Sequence, residues 1–231
     1  MKKIGIIGAM DEEVELIKST MTVENTVEKA GCTFLVGKIE GKDTVVVRCG
    51  IGKVNAAMCT QILIDLFNVD AVINTGVAGA VAEGITVGDV VISSDALQHD
   101  MDCSPLGDPI GVIPRMPESI FKADERLVKL AFAASSKVIS GKTLTGRVVS
   151  GDQFIASKEV KDKLVKNFNG SCAEMEGAAI AHICYMNSVP YVIIRNISDS
   201  ADGSADVSFV EFCKEAVIHS GKIVLEMMKN I

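Results

Sequence analysis

The sequence predicts an α/β fold in which an open, largely parallel sheet is covered by helices on both faces. Three observations carry this expectation. Short apolar runs alternate with stretches of helical spacing along the whole chain. Apolar residues make up 48% of the chain, yet aromatics only 4%, and Trp is absent. The core is therefore built from Val, Ile, Leu, Ala and Met, the usual filling of a sheet buried on both sides. Polar and Gly-rich stretches follow the strands, where ligands bind in such sheets. The chain of 231 residues has no internal repeat, low-complexity tract or linker, and one domain over residues 1–231 is expected.

Taken in order, Lys3–Ile7 is an apolar run ending at Gly8. Asp11–Thr20 then places Val14, Leu16 and Ile17 at helical spacing. Thr33–Glu40 and Thr44–Cys49 flank Gly41-Lys42 as a hairpin. Gly50-Ile51-Gly52-Lys53 opens a helix over roughly Val54–Phe67. Ala71–Thr75 is a buried strand followed by a Gly-rich loop, Gly76-Val77-Ala78-Gly79, and Asp89–Ala96 is a further strand. Between Leu97 and Ser119 the chain carries Pro105, Pro109, Pro114 and Pro117 with little periodicity. A long irregular segment in a compact domain points to a lid or an interface piece. Helices are expected over Lys122–Ala134, Ser157–Val165, Glu176–Asn187 and Phe209–Lys229, with strands over Thr143–Ser150 and Tyr191–Ile197.

Composition excludes several classes of partner. The net charge is −7 with no Lys/Arg run, which argues against nucleic acid. No run is long enough to span a membrane. The first ten residues resemble a short signal peptide, but the apolar run is brief and meets Asp11-Glu12-Glu13 without a cleavage site, so it is read as a first strand. Seven scattered cysteines without a CxxC indicate buried thiols in a reducing compartment, the cytoplasm. His99, His182 and His219 are too dispersed for a local metal motif, though not for a spatial one, and no cofactor is expected.

Four polar stretches stand out. Asp11, Glu12 and Glu13 open the first helix, where acids complement the helix dipole without further function. Glu13 is also placed to aim back into the loop after the first strand. Repulsion among three adjacent carboxylates raises the pKa of one of them, while the helix terminus acts in the opposite sense. Asn74-Thr75-Gly76-Val77-Ala78-Gly79 is either a tight strand–loop turn or a place where a ligand approaches the backbone. Gly50-Ile51-Gly52-Lys53 carries a lysine at a helix start and would suit weak anion binding, whereas Gly5-Ile6-Ile7-Gly8 lacks the dinucleotide-binding spacing. In Cys172-Ala173-Glu174-Met175-Glu176-Gly177, two glutamates precede the Ala-rich run Ala178-Ala179-Ile180-Ala181, which argues for burial over a solvated surface. Buried carboxylates need partners, and a ribose diol is one. Asp199, in Arg195-Asn196-Ile197-Ser198-Asp199, is either a turn cap or a catalytic acid at a strand's end, and Arg195 is placed to pair with Glu176.

In this order and spacing the chain resembles the 5′-methylthioadenosine/S-adenosylhomocysteine nucleosidases of the purine nucleoside phosphorylase superfamily. The resemblance rests on Ile4–Met10, Gly50–Val54, Asn74-Thr75-Gly76, Val87-Gly88-Asp89, Ser150-Gly151-Asp152, Glu174-Met175-Glu176 and Ile197-Ser198-Asp199. It implies a three-layer α/β/α sandwich around a mixed sheet, a homodimer, and a site that needs no metal. It further implies that Glu13 activates water and Asp199 helps protonate adenine at N7. Glu176, beside Met175, would hold the ribose hydroxyls, and the Ile155 backbone would read the adenine edge. Met10, Ile51, Phe154 and Phe209 would line the pockets, with Val77, Ala78, Arg195 and Ser198 as further substrate-binding positions. Cys103, Leu106 and Pro114 would complete the neighbouring subunit's pocket. Val77 stands where some members have serine, and Leu106 where some have phenylalanine.

The expected reaction is hydrolysis of the N-glycosidic bond of an adenine nucleoside, releasing adenine. Two alternatives are a phosphate-dependent phosphorylase and a purine-binding protein without catalysis. Phosphorylases of the superfamily place arginines in loops that cradle phosphate, whereas here the first loop is Met10-Asp11-Glu12-Glu13 and Asn74-Thr75-Gly76 offers none. Negative loops disfavour a phosphate dianion and tolerate water.

Overall fold

Strand β1 (Lys3–Gly8) turns Ile4 and Ile6 into one apolar cluster and Ile7 into another. A Cβ on Gly5 would meet Leu63 and Val69, so this position belongs to the Ile7 side. Parallel partners β4 (Lys42–Arg48) and β5 (Ala71–Ala80) flank β1 on both edges. A strand so enclosed has no solvated face, which is why its sequence is a continuous apolar run. The computed structural model describes residues 2–202 and 205–231.

Helices α2 (Lys53–Asp65) and α5 (Gly177–Met186) cover one face, packing Ala56, Cys59, Leu63, Ala178 and Ile180 against Ile7, Val45 and Val47. Helices α1 (Asp11–Thr20), α3 (Glu125–Val138) and α6 (Ala205–Met228) cover the other. They bring Val14, Ile17, Leu127, Ala131, Ile223 and Val224 onto Ile4, Ile6, Val46 and Ile73. The result is the expected three layers. Each fully buried Val, Leu or Ile contributes roughly 1.5–3 kcal/mol, so the small aromatic share is no handicap. Among the described residues, no helix is long and apolar enough to cross a membrane.

The sheet is mixed. From β5 outward through β1 and β4 it continues antiparallel into β3 (Cys32–Ile39) and β2 (Thr22–Lys29). On its other edge β5 pairs with β10 (Tyr191–Asp199), while past the end of β1 its Gly79-Ala80 end pairs with β9 (Cys172–Glu174), so that Gly79 has β10 on one edge and β9 on the other. From β10 the pairing continues through β6 (Val90–Gln98) and β8 (Thr143–Ser150) back to β9. These five strands therefore close on themselves, where an open sheet is expected from the alternation alone. The β1-β4-β3-β2 wing extends from this ring as an open sheet.

Other differences have local causes. Strand β2, Thr22-Val23-Glu24-Asn25-Thr26-Val27-Glu28-Lys29, is a polar, largely exposed edge strand without apolar alternation. Such edges resist pairing with other chains and carry little sequence signal. Gly76–Gly79 is not a loop: β5 continues to Ala80 because β10 pairs with it through this stretch. Likewise β6 reaches Gln98, held by β8. Helix α3 starts at Glu125 rather than Lys122 because the Asp124 carboxylate caps it, accepting the Leu127 N–H at 2.9 Å. Phe121–Lys122 instead forms the short strand β7 against β6. The Pro-rich segment holds one 3-10 turn, Ser104–Leu106. Helix α4 (Lys158–Phe168) ends at Asn169 in the left-handed conformation.

Candidate active site

Glu13 is the third residue of α1, and its carboxylate turns back over the helix start. Oε2 accepts the N–H groups of Ala9 at 2.7 Å and Met10 at 3.0 Å. Oε1 accepts the Val77 N–H of β5 at 3.1 Å. Capping and site placement are thus the same interaction. Burial raises the Glu13 pKa, against the charge of Arg195 and the three N–H donors. Repulsion by Asp11 and Glu12, the cause expected from sequence, is not responsible. Those two residues are exposed, and Asp11 pairs with Lys18 and Arg48.

Two glycines of β5 make room for carboxylates. A Cβ on Gly76 would stand 2.3 Å from Glu13 Oε1, and one on Gly79 2.6 Å from Asp199 Oδ1. Small residues were expected to admit a ligand to the backbone. At these two positions they admit the protein's own carboxylates.

Asp199 ends β10 and is 2% exposed. Its Oδ1 accepts the Ala201 N–H at 2.8 Å and its Oδ2 the Ser198 hydroxyl at 3.0 Å. Burial raises its pKa, and those two donors oppose the shift. A carboxyl whose pKa is raised toward the working pH is better suited to act as a general acid.

Glu176 is the N-cap of α5 and is also buried. Its Oε1 accepts the Gly52 N–H at 2.8 Å. Burial and the neighbouring charge of Glu174 push its carboxyl up to about 8, with Arg195 and the Gly52 N–H working in the opposite direction.

Arg195 does not pair with Glu176, as the sequence suggested, but with Glu174. Both side chains are nearly inaccessible, at 2% and 3% exposure. Arg195 also donates to Asn74 Oδ1 at 2.6 Å. Glu174 accepts the Glu176 and Gly177 N–H groups at 3.1 and 2.8 Å and the Ser150 hydroxyl. Both Glu174 oxygens and both terminal nitrogens of Arg195 are thus engaged, which helps to offset the desolvation of a buried ion pair, while Arg195 Nε is buried without a partner among the described residues. Glu174 is the better partner because its strand position points it at β10, while Glu176 turns to α2.

These groups meet at one cavity of about 520 Å³, within the usual size of small-molecule sites. Met10, Glu13, Ile51, Val77, Ala78, Phe154, Met175, Glu176, Ser198, Asp199 and Phe209 line it, so eleven of the expected positions converge. Phe154 and Phe209 meet edge to face with ring centroids 5.7 Å apart. Arg195 and Ile155 are buried outside the lining, and the exposed Leu106 and the half-buried Cys103 and Pro114 also lie outside it. Among the described residues, the lining contains no Lys or Arg. Lys53 offers no anion site: its ammonium binds Asp100 at 2.6 Å and Gln98 at 3.1 Å.

The Phosphorylase superfamily model matches residues 3–229. A 5′-methylthioadenosine/S-adenosylhomocysteine nucleosidase of Halalkalibacterium halodurans is 42% identical over 232 residues, covering 100% of both chains. The chain belongs to this nucleosidase family. A Neisseria meningitidis nucleosidase of the same name, solved in complex with methylthio-immucillin-A, is 40% identical with a TM-score of 0.95, each chain covered to 100%. The futalosine hydrolase of Helicobacter pylori is 35% identical with a TM-score of 0.94, covering 100% of this chain and 98% of its own. The nucleosidase family thus shares its backbone with a hydrolase of another name, and side chains must decide the substrate.

Sequence reasoning placed Gly79 in a stretch that a ligand could approach but gave no substrate contact to Ala9, Ala173 or Glu174, although all of these line the cavity. Nor did it give Ser150 a task, although Ser150 links Glu174 to the Ala178 N–H. The Ser150-Gly151-Asp152 block was visible, but its partners lie on other elements.

Proposed function

We propose that this chain hydrolyses the N-glycosidic bond of 5′-methylthioadenosine and S-adenosylhomocysteine, and of 5′-deoxyadenosine, releasing adenine. The observation that carries this reading is the convergence of Glu13, Glu176 and Asp199 on one cavity whose lining, among the described residues, is otherwise mostly apolar and has no cation. Breaking the C1′–N9 bond builds positive charge on the ribose and negative charge on the base. Asp199, whose burial raises its pKa, donates toward N7 of the leaving adenine. Glu13 takes a proton from water as it attacks C1′. Positioned proton transfer of this kind contributes roughly 10²–10⁴-fold. The division of labour parallels inverting sugar hydrolysis, with a purine as leaving group. Glu176 accepts from the ribose hydroxyls with the oxygen not tied to Gly52. The Ile155 backbone, beside Phe154, reads the adenine edge.

A lining that carries carboxylates and, among the described residues, no Lys or Arg favours neutral water over a phosphate dianion as the nucleophile. Arg195, the nearest buried cation, is engaged by Glu174 and Asn74 and acts from behind the wall. The same reading includes one domain over residues 1–231 and a homodimer. Exposed Ile51, Val54, Leu106 and Met186 support an apolar contact surface, with Cys103, Leu106 and Pro114 reaching the partner's pocket. Buried Cys32, Cys49, Cys59, Cys172 and Cys184 fit a reducing compartment, the cytoplasm.

The test is adenine release from methylthioadenosine in phosphate-free buffer. Turnover without phosphate is the expected result. Strict phosphate dependence would instead identify a phosphorylase, and tight binding without product a purine-binding protein.

A further inference from the structure

Lys53 opens α2, Asp100 follows the end of β6, and Asp152 follows the end of β8. Far apart in sequence, the three form a closed circuit of hydrogen bonds. The Lys53 backbone N–H donates to Asp152 Oδ1 at 2.8 Å. The Asp152 N–H donates to Asp100 Oδ2 at 3.0 Å. Lys53 Nζ closes the circuit on Asp100 Oδ1 at 2.6 Å. The paired side chains of Lys53 and Asp100 are only 17% and 16% exposed, so this is not a solvent-screened surface pair.

None of the three residues lines the cavity. The residue before Lys53 nevertheless touches the site, because Gly52 gives its N–H to Glu176 Oε1 at 2.8 Å. Gly52 has φ +98°, a conformation open to glycine and unfavourable for other residues. A Cβ there would also crowd Asp152 Oδ1 at 3.1 Å. Glycine permits this peptide orientation but does not enforce it, since it populates many others. The enforcement comes from the next peptide, whose N–H is held by Asp152 while the Lys53 side chain is held by Asp100.

We propose that Lys53 and Asp100 are positioning residues for Glu176: their ion pair, closed through Asp152, fixes the Gly52 N–H and so presents the second oxygen of Glu176 to the ribose. The inference rests on the reading of Glu176 as the ribose-holding carboxylate. A carboxylate with one oxygen tied down has a single free direction for a sugar hydroxyl. Once the circuit opens, the Gly52 peptide turns, Glu176 loses its donor, and recognition of the diol weakens. The Ile155 backbone at the adenine end lies three residues after Asp152, and in Lys53→Met the Asp152 N–H keeps its Asp100 acceptor, so adenine affinity is expected to stay.

The experiment compares the parent chain with Lys53→Met, Asp100→Asn, Glu176→Gln and the Lys53→Met/Glu176→Gln double variant. KM and kcat are measured for methylthioadenosine and for its 2′,3′-dideoxy analogue, with the Kd of adenine alone as a control. Lys53→Met is expected to raise KM for methylthioadenosine between roughly 10- and 100-fold, the scale on which small misplacements act. KM for the analogue and the adenine Kd should stay at parent values. In the Glu176→Gln background, Lys53→Met should add nothing, because both changes remove one interaction. Equal losses on both substrates, or additive losses in the double variant, would overturn the proposal. Asp100→Asn carries the same test should Lys53→Met not fold cooperatively; failure of both to fold would mark the pair as purely structural and also overturn it. If Glu176→Gln leaves the ratio of the two substrates unchanged, the ribose-holding reading fails and the proposal with it. If Glu176→Gln moves that ratio and Lys53→Met does not, only the positioning role fails.

Discussion

Glu13 reaches from α1 to the central strand β5 and accepts the Val77 N–H at 3.1 Å. With its other oxygen on Ala9 and Met10, the carboxylate binds three backbone donors in a site where it is 5% exposed. Donors favour its charged form and burial its neutral form, and burial prevails. A base held in this balance can take a proton without being locked as an anion.

This arrangement separates two conservative substitutions. In Glu13→Gln the carboxamide NH₂ must face a backbone N–H, so we expect a stability loss of about 1–3 kcal/mol together with a turnover loss of roughly 10²–10⁴-fold. In Asp199→Asn the oxygen keeps the Ala201 N–H, while the NH₂ donates to Ser198 Oγ, whose hydroxyl turns to the Ala78 carbonyl at 3.4 Å. Turnover should fall on the same scale with the denaturation midpoint near that of the parent. Urea unfolding beside adenine-release assays checks both; matching stability losses would contradict the difference.

Gly76→Ala and Gly79→Ala test the steric relationship. Added methyl groups would meet Glu13 Oε1 at 2.3 Å at position 76, and Asp199 Oδ1 at 2.6 Å and Ala201 Cβ at 2.9 Å at position 79, unless these groups move. Both variants should fold and lose kcat more than adenine affinity, with Gly76→Ala acting on the base and Gly79→Ala on the acid. Steady-state kinetics and adenine titration decide this, and parent-like kcat in either would refute the corresponding contact.

Arg195→Met should be destabilising whatever it does to catalysis. Removing the guanidinium leaves Glu174 buried without its counter-ion, a change that costs roughly 3–5 kcal/mol. Chemical denaturation measures it. Adding Glu174→Gln, which removes the stranded charge, should recover part of the loss, and no recovery would mean that the pair is not what holds Arg195.

Glu176 gives a pH prediction for the substrate-free chain. Its folded pKa is pushed up to about 8, while the unfolded chain has an ordinary carboxyl, near 4.3. The folded state therefore keeps a proton that the unfolded state releases. The resulting stability is full below the unfolded pKa and is lost as pH rises toward 8. Glu176→Gln removes that titration and keeps an oxygen for the Gly52 N–H. It should gain stability over the parent at pH 8 and gain less at pH 5. Urea midpoints at the two pH values check this; a pH-independent difference would contradict it.

Much of this was legible in the sequence. The run Lys3–Gly8 and the spacing of Val14 and Ile17 were enough for β1 and α1, because a doubly buried strand and an amphipathic helix carry different apolar periods. The three carboxylates were legible as residues at strand ends. Their partners were not. Glu174 and Glu176 are two residues apart, and only the placement of β9 between β5 and β8 decides which one faces Arg195. Ring closure was hidden for the same reason, since Ile193–Asn196 contains nothing that specifies two neighbouring strands. Strand β2 was invisible because its residues face water.

The cavity has two kinds of wall. The carboxylates are cross-linked to β5, α2 and each other's neighbours by hydrogen bonds, whereas Ile51 and Phe154 are about half exposed and contribute apolar side chains to the rim. Variation can therefore accumulate on that rim without reaching the proton-transfer machinery. The same division would let related enzymes diverge in which nucleoside they accept while inheriting one way of breaking the bond. It also marks Ile51, Phe154 and Phe209 as the positions where an engineer should randomise first to retune substrate choice.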